Sequence, residues 1–117
     1  MNRDELRAYL LSKPHAVEEY PFGPGTAVYK VVGKIFALAP DDGPLSVSLK
    51  CEPNLATLLR ENHPAVIPGY HLNKRHWNTV KIDGSLSDGE LCEMIDHSYE
   101  QVIQGLPKRI QAQLRSA

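Results

Sequence analysis

Hydrophobic and polar residues alternate along this chain with two different periods, and the switches between them mark its elements. Residues 2–12 recur at helical spacing, with Leu6 and Leu10 central and Tyr9 and Leu11 widening the stripe. Asn2 is placed to cap this helix and Glu5 to return the capping box. Pro14 ends it, because the residue before a proline is pushed away from helical angles. Period two then takes over. Ala27–Val32 and Ile35–Ala39 are rich in β-branched and aromatic residues and are joined through Gly33-Lys34. After the turn Pro40-Asp41-Asp42-Gly43-Pro44, the segment 45–50 alternates cleanly. Leu45, Val47 and Leu49 face a core while Ser46, Ser48 and Lys50 face outward.

The helical period returns at Pro53 and runs to about Asn62, with Leu55, Leu58 and Leu59 on one face and His63-Pro64 as the stop. Residues 65–70 read as a connection broken by Pro68 and Gly69, and 72–77 as a single helical turn. A fourth strand follows over 78–83, with Val80 and Ile82 inward and Thr79 and Lys81 outward. Ser87 and Glu90 form the capping box of the longest helix, which reaches Gln104 through Leu91, Met94, Ile95, Tyr99, Val102 and Ile103. Gly105 suits its C-terminal cap and Pro107 its stop; a short helix over 108–114 closes the chain. The order α-β-β-β-α-β-α-α predicts an α+β two-layer sandwich, an antiparallel sheet with helices mainly on one face and the other face partly wet. The loop Tyr20-Pro21-Phe22-Gly23-Pro24-Gly25 carries enough ring area to fold back onto the core.

At 117 residues, with 42% apolar and 23% charged side chains, the chain fits one globular domain spanning 1–117. No apolar run approaches the roughly 20 residues that cross a bilayer. The opening residues Arg3, Asp4 and Glu5 do not make a secretory signal, so no membrane partner is expected. Cys51 and Cys92 stand far apart without a CxxC pattern and read as reduced thiols, consistent with a cytoplasmic protein. A net charge of −1 excludes a generic polyanion binder and requires any nucleic-acid contact to be local.

The unusual chemistry concentrates in Gly69–Val80, which holds the only tryptophan and an adjacent Lys-Arg pair. Lys74 and Arg75 can contact phosphates, Asn73 and His76 can hydrogen-bond bases or sugars, and Trp77 can stack on a base. Lys50 and Lys81, with Lys30, can extend a basic strip along the wet sheet face. The plainer alternative makes Trp77 a core ring, with His71 and the asparagines tying down a loop. For Lys74 and Arg75 it is a solvated turn. Neither a metal nor a cofactor is expected. His71 and His76 stand five apart, which matches no known ligand pair. Cys51 and Cys92 have no histidine near in sequence, and no glycine-rich phosphate loop occurs, so catalysis is not expected.

Three stretches carry a resemblance: Tyr20-Pro21-Phe22-Gly23, Lys30-Val31-Val32-Gly33-Lys34-Ile35-Phe36-Ala37-Leu38 and His71-Leu72-Asn73-Lys74-Arg75-His76-Trp77. With these the chain resembles the MmcQ/YjbR family of small bacterial proteins over essentially its whole length. The resemblance implies a CyaY-like (frataxin-like) α+β fold and DNA binding through a double-wing arrangement of strands and loops. It supplies no catalytic residues. Iron, raised by the frataxin-like fold, is disfavoured because the first helix offers only Asp4 and Glu5, beside Arg3 and Arg7. The expectation is therefore a DNA-binding protein acting through Asn73, Lys74, Arg75, His76, Trp77, Lys50 and Lys81. The alternative is a protein-interaction module, for a homodimer or another partner, in which the motif is structural.

Overall fold

The computed structural model describes residues 1–69 and 71–116. Helix α1 (Arg3–Ser12) leads into strands β1 (Val17–Glu19), β2 (Thr26–Val31), β3 (Lys34–Pro40) and β4 (Ser46–Lys50). Helix α2 (Pro53–Asn62), strands β5 (Val66–Pro68) and β6 (Trp77–Lys81), and helices α3 (Asp88–Gln104) and α4 (Lys108–Arg115) complete the chain. The six strands form one antiparallel sheet in the order β1-β2-β3-β4-β6-β5. The α+β architecture is as the periodicity predicts. The expected element order, however, lacks β1 and β5. Each is three residues long, too short for a period to show, and each exists because a longer neighbour supplies its hydrogen bonds.

Both capping boxes form, Asn2 with Glu5 and Ser87 with Glu90. The β2–β3 loop is Val32-Gly33, with φ of 50° and 75°, the left-handed pair of a two-residue hairpin turn. No helical turn forms over 72–77. Residues 74–76 are a hydrogen-bonded turn and Trp77 already belongs to β6. Tyr70, in the expected connection 65–70, lies outside the described residues.

Cross-strand partners share a face, so the register sorts the side chains. Tyr29, Ala37, Leu49, Asn78 and Pro68 form one row across five strands on the helix-covered face. Val28, Leu38, Ser48, Thr79 and Ile67 form the corresponding row on the opposite face. The core lies between the first face and the helices: Leu6 and Leu10 of α1 and Leu91, Ile95, Val102 and Ile103 of α3 pack with Phe36, Val47 and Val80. Phe36 and Tyr99 meet edge to face at 5.4 Å. The alternation expected over 45–50 holds, with Val47 and Leu49 buried.

Two expectations about packing fail. Phe22 is 68% exposed and Tyr20 is also exposed, so their loop does not fold onto the core. Tyr20 instead donates its hydroxyl to Asp41. Helix α2 buries only Ala56 completely, while Leu58 projects into solvent. A third departure is local. β3 and β4 pair only at Ala37–Leu49 and Leu38–Ser48, and at the next position Ser98 stands between the strands. Its hydroxyl donates to the Phe36 carbonyl (2.6 Å) and accepts from the Lys50 N–H (2.8 Å). At that position the two strands are joined through α3 instead of directly.

Candidate nucleic-acid interface

The segment before β6 is built from the backbone outward. The Asn73 side-chain oxygen accepts from the Arg75 N–H at 3.0 Å, and the His76 N–H returns to the Asn73 carbonyl at 3.1 Å. Arg60 of α2 donates to the Lys74 carbonyl at 3.0 Å. Two further bonds fix the exit, Cys51 N–H to the His76 carbonyl (2.7 Å) and Gly69 N–H to the Trp77 carbonyl (2.9 Å). Gly69 also has a steric reason to be glycine: a Cβ there would sit 2.8 Å from that of Trp77. The turn is therefore rigidly tied, and it delivers Trp77 to the open face of the sheet opposite Lys50.

Trp77 is half-buried and lies outside the main core cluster, which goes against the plainer alternative of a core ring. The physical reason is strand parity: Asn78 and Val80 take the inward positions of β6, leaving Trp77, Thr79 and Lys81 outward. His71, which the same alternative makes a loop anchor, is exposed with φ of 57° and takes part in further interactions.

Three clefts meet at Trp77. One, bounded by Lys34, Ile35, Lys50 and Leu106, is about 480 Å³. A second of about 330 Å³ is bounded by Lys50, Pro53, Asn73, His76 and Gln101. The third is a groove of about 690 Å³ along the open face, with Ile35, Leu38 and Ile67 on its floor, Ser46, Ser48 and Thr79 between them, and Phe22, His71 and Leu72 at its sides. Among the described residues no carboxylate lines any of the three.

The seven residues expected to form the site fall into three groups. Lys50, Asn73, His76 and Trp77 are brought together around one cleft. Lys74 and Arg75 are exposed on the turn beside it and line none of the three. Lys81 shares the open face but lies four residues along β6 from Trp77, about 13 Å at strand spacing. Among the described residues, no carboxylate lies within ion-pair distance of Lys34, Lys50, Lys74, Arg75 or Lys81. Lys30, considered as part of the same strip, is paired with Glu19 at 2.9 Å and is neutralised there.

Sequence reasoning missed Lys34, Phe22 and Gln101. Lys34 follows the hairpin turn, and its place beside Lys50 depends on the β3–β4 register, which no local pattern reveals. Among the described residues, no three His, Cys, Asp or Glu side chains converge to hold a metal ion. Burial pushes the Cys51 thiol up to about 11, which leaves it a poor nucleophile at neutral pH.

A family model described as YjbR matches residues 11–101. The chain belongs to the YjbR family. Its sequence is 39% identical to the uncharacterized protein YjbR of Escherichia coli (strain K12) over 109 residues, 92% of each chain. It is 38% identical to the uncharacterized protein YbdF of Escherichia coli O157:H7 over 97 residues, covering 82% of this chain and 80% of the relative. The crystal structure of a Deinococcus radiodurans protein with a DUF419 domain superposes with a TM-score of 0.87 at 39% identity, covering 95% of this chain and 86% of that one. A Pseudomonas syringae crystal structure gives 0.75 at 29% identity, covering 86% and 98%. The YjbR fold is thus the open six-stranded sheet described above, with four helices. No helix among the described residues is long and apolar enough to cross a membrane.

Proposed function

We propose that this YjbR-family protein is a non-enzymatic DNA-binding protein whose open sheet face holds the nucleic acid around Trp77. One observation carries the reading. In a chain of net charge −1, no carboxylate among the described residues lines the three clefts converging on Trp77, and Lys34 and Lys50, which line them, have no ion-pair partner among those residues. Trp77 offers a stacking surface at the junction, His76 and Gln101 offer hydrogen bonds beside it, and Lys74 and Arg75 add charge on the flanking turn. An aromatic ring and small hydroxyl residues on an open sheet suit unstacked bases better than an intact duplex.

A second reading has its own support. The groove floor of Ile35, Leu38 and Ile67, with Phe22 exposed at its side, is apolar enough to receive a protein segment or a second copy of the chain.

Trp77 fluorescence separates the two, because no other tryptophan contributes. Titration with a single-stranded oligonucleotide gives a saturable change that weakens steeply from about 50 to about 200 mM salt if phosphates are bound. Fluorescence that stays flat while a labelled oligonucleotide remains free overturns the DNA reading. Salt-insensitive self-association that alters the emission favours the protein reading.

A further inference from the structure

The loop 20–25 holds an aromatic ring in solvent by rigid means. The Gly23 N–H donates to the Tyr20 carbonyl at 3.2 Å, closing a β-turn with Pro21 in its second position and Phe22 in its third. Gly23 and Gly25 follow with φ of 91° and 108°, values that a side chain would oppose. Two bonds then pin the loop to the end of β3. The Tyr20 hydroxyl donates to Asp41 at 3.1 Å, and the Asp41 N–H donates to the Gly25 carbonyl at 2.8 Å. A singly exposed apolar residue is ordinary. Phe22 is informative because a braced turn presents it, and because of where it stands.

The sheet register sets that place. In the middle of the open face Leu38, Ser48 and Thr79 stand side by side. Two residues to one side of this row lie Lys50 and Trp77. Two residues to the other lie Pro40, Ser46 and Lys81, with Thr26 paired to Pro40. Trp77 and the braced loop of Phe22 thus stand at opposite ends of the groove that both rings line. Four residues of strand separate the two ends by about 13 Å. β4, which lies between β3 and β6, sets them about 10 Å apart across the sheet, giving a diagonal of about 16 Å. At 3.4 Å per stacked nucleotide, about five nucleotides cover that diagonal, and fewer when the strand is extended.

Resting on the nucleic-acid reading, we propose that Phe22 is a second base-stacking platform, so that the groove grips a single strand at two points about three to five nucleotides apart. The phenyl ring suits this role, since it offers a π-face without a hydrogen-bonding group and stacks on any base. Bases laid between the two rings meet the apolar floor of Ile35 and Leu38. Phosphates meet Lys50 at the Trp77 end and Lys81, opposite Ser46, at the other. Lys81, which lies away from the clefts at Trp77, thereby gains a place in the site. A duplex has its base faces covered by stacking and offers neither ring a surface.

The test titrates a thymidine dinucleotide and a thymidine hexanucleotide, with Trp77 fluorescence reading one end of the groove. Fluorine-labelled phenylalanine reads the other, because the chain has two phenylalanines and Phe36 is fully buried and serves as reference. The hexanucleotide should shift the Phe22 signal with the same midpoint as the Trp77 change. Phe22→Ala should weaken the hexanucleotide about 5- to 150-fold and leave the dinucleotide's affinity at Trp77 unchanged. Phe22→Tyr, which keeps the ring, should retain the parent affinity. Because Phe22 is 68% exposed, the melting temperature should hold in both variants. A hexanucleotide that binds at Trp77 equally well in Phe22→Ala, without moving the Phe22 signal, overturns the second platform and leaves the nucleic-acid reading standing. An equal loss for both lengths overturns it too, since Phe22 would then act through the fold. If neither ring responds to either oligonucleotide, both readings fall. A Phe22 signal that moves with protein concentration alone assigns the groove to a second copy of the chain and also overturns the proposal.

Discussion

Gly69 and Ser98 show how single residues shape the sheet. At Gly69 the missing side chain admits the Trp77 Cβ, and a methyl group would have to occupy the same space. Gly69→Ala should therefore destabilise the protein by about 1–3 kcal/mol, as overpacking does, and move the Trp77 emission maximum. Urea denaturation followed by fluorescence reads both effects. Ser98 is fully buried and satisfies one carbonyl and one N–H of two different strands. Ser98→Ala leaves both groups unpaired unless β3 and β4 close upon each other. The expected loss is about 2–6 kcal/mol, at roughly 1–3 kcal/mol per unsatisfied group. A loss below 0.5 kcal/mol, on the order of an ordinary surface change, would show that the strands re-pair. Neither role is visible in the sequence, where Gly69 reads as a breaker and Ser98 as a polar residue on a helix.

At the scale of elements, α1 is tied to the sheet edge through Glu18. Its carboxylate accepts from Arg7 of α1 at 2.8 Å and from the Tyr29 hydroxyl of β2 at 2.7 Å. The Arg7 hydrogen bond, aided by that of Tyr29, holds the Glu18 pKa below its ordinary value. A depressed carboxylate contributes stability that is fully present above its unfolded value, about 4.3, and is lost as pH falls through the lower folded value. Glu18→Gln should therefore flatten the acid limb of the stability profile below about pH 4.3. An acid limb as steep as that of the parent would assign it to other carboxylates. The β2–β3 hairpin offers a complementary gain. Val32 holds φ of 50° in a turn position that favours asparagine, and it is exposed. Val32→Asn should raise stability by about 0.5–1 kcal/mol, measured by thermal melting.

For the whole molecule, the relevant quantity is the distribution of charge. Arg7, Lys13 and Lys30 are paired with acids, whereas Lys34 and Lys50 beside Trp77 have no acidic partner among the described residues. The joint variant Lys34→Ala/Lys50→Ala should weaken oligonucleotide binding and lower the magnitude of its log–log salt slope by about 1–2. Its melting temperature should remain close to the parent's, because Lys34 is exposed, Lys50 is half-buried and neither is held in an ion pair among the described residues. Unchanged affinity would move the site to the Lys74-Arg75 turn, which the corresponding double alanine variant would reveal.

Local chemistry was sufficient for much of this protein. The two capping boxes, the helices at 53–62 and 108–114, and the alternation over 45–50 are legible because each depends on residues within a few positions of one another. The three family stretches are likewise local, and they led to the right family. Tertiary structure alone decided the rest. Strands β1 and β5 exist only through their neighbours, and Trp77 faces outward because the register of β4 with β6 turns Asn78 inward. Lys34 reaches Lys50 across a strand boundary, and Phe22 comes to line the same groove as Trp77. These features arise from pairings between distant segments, which adjacent residues in the chain do not encode.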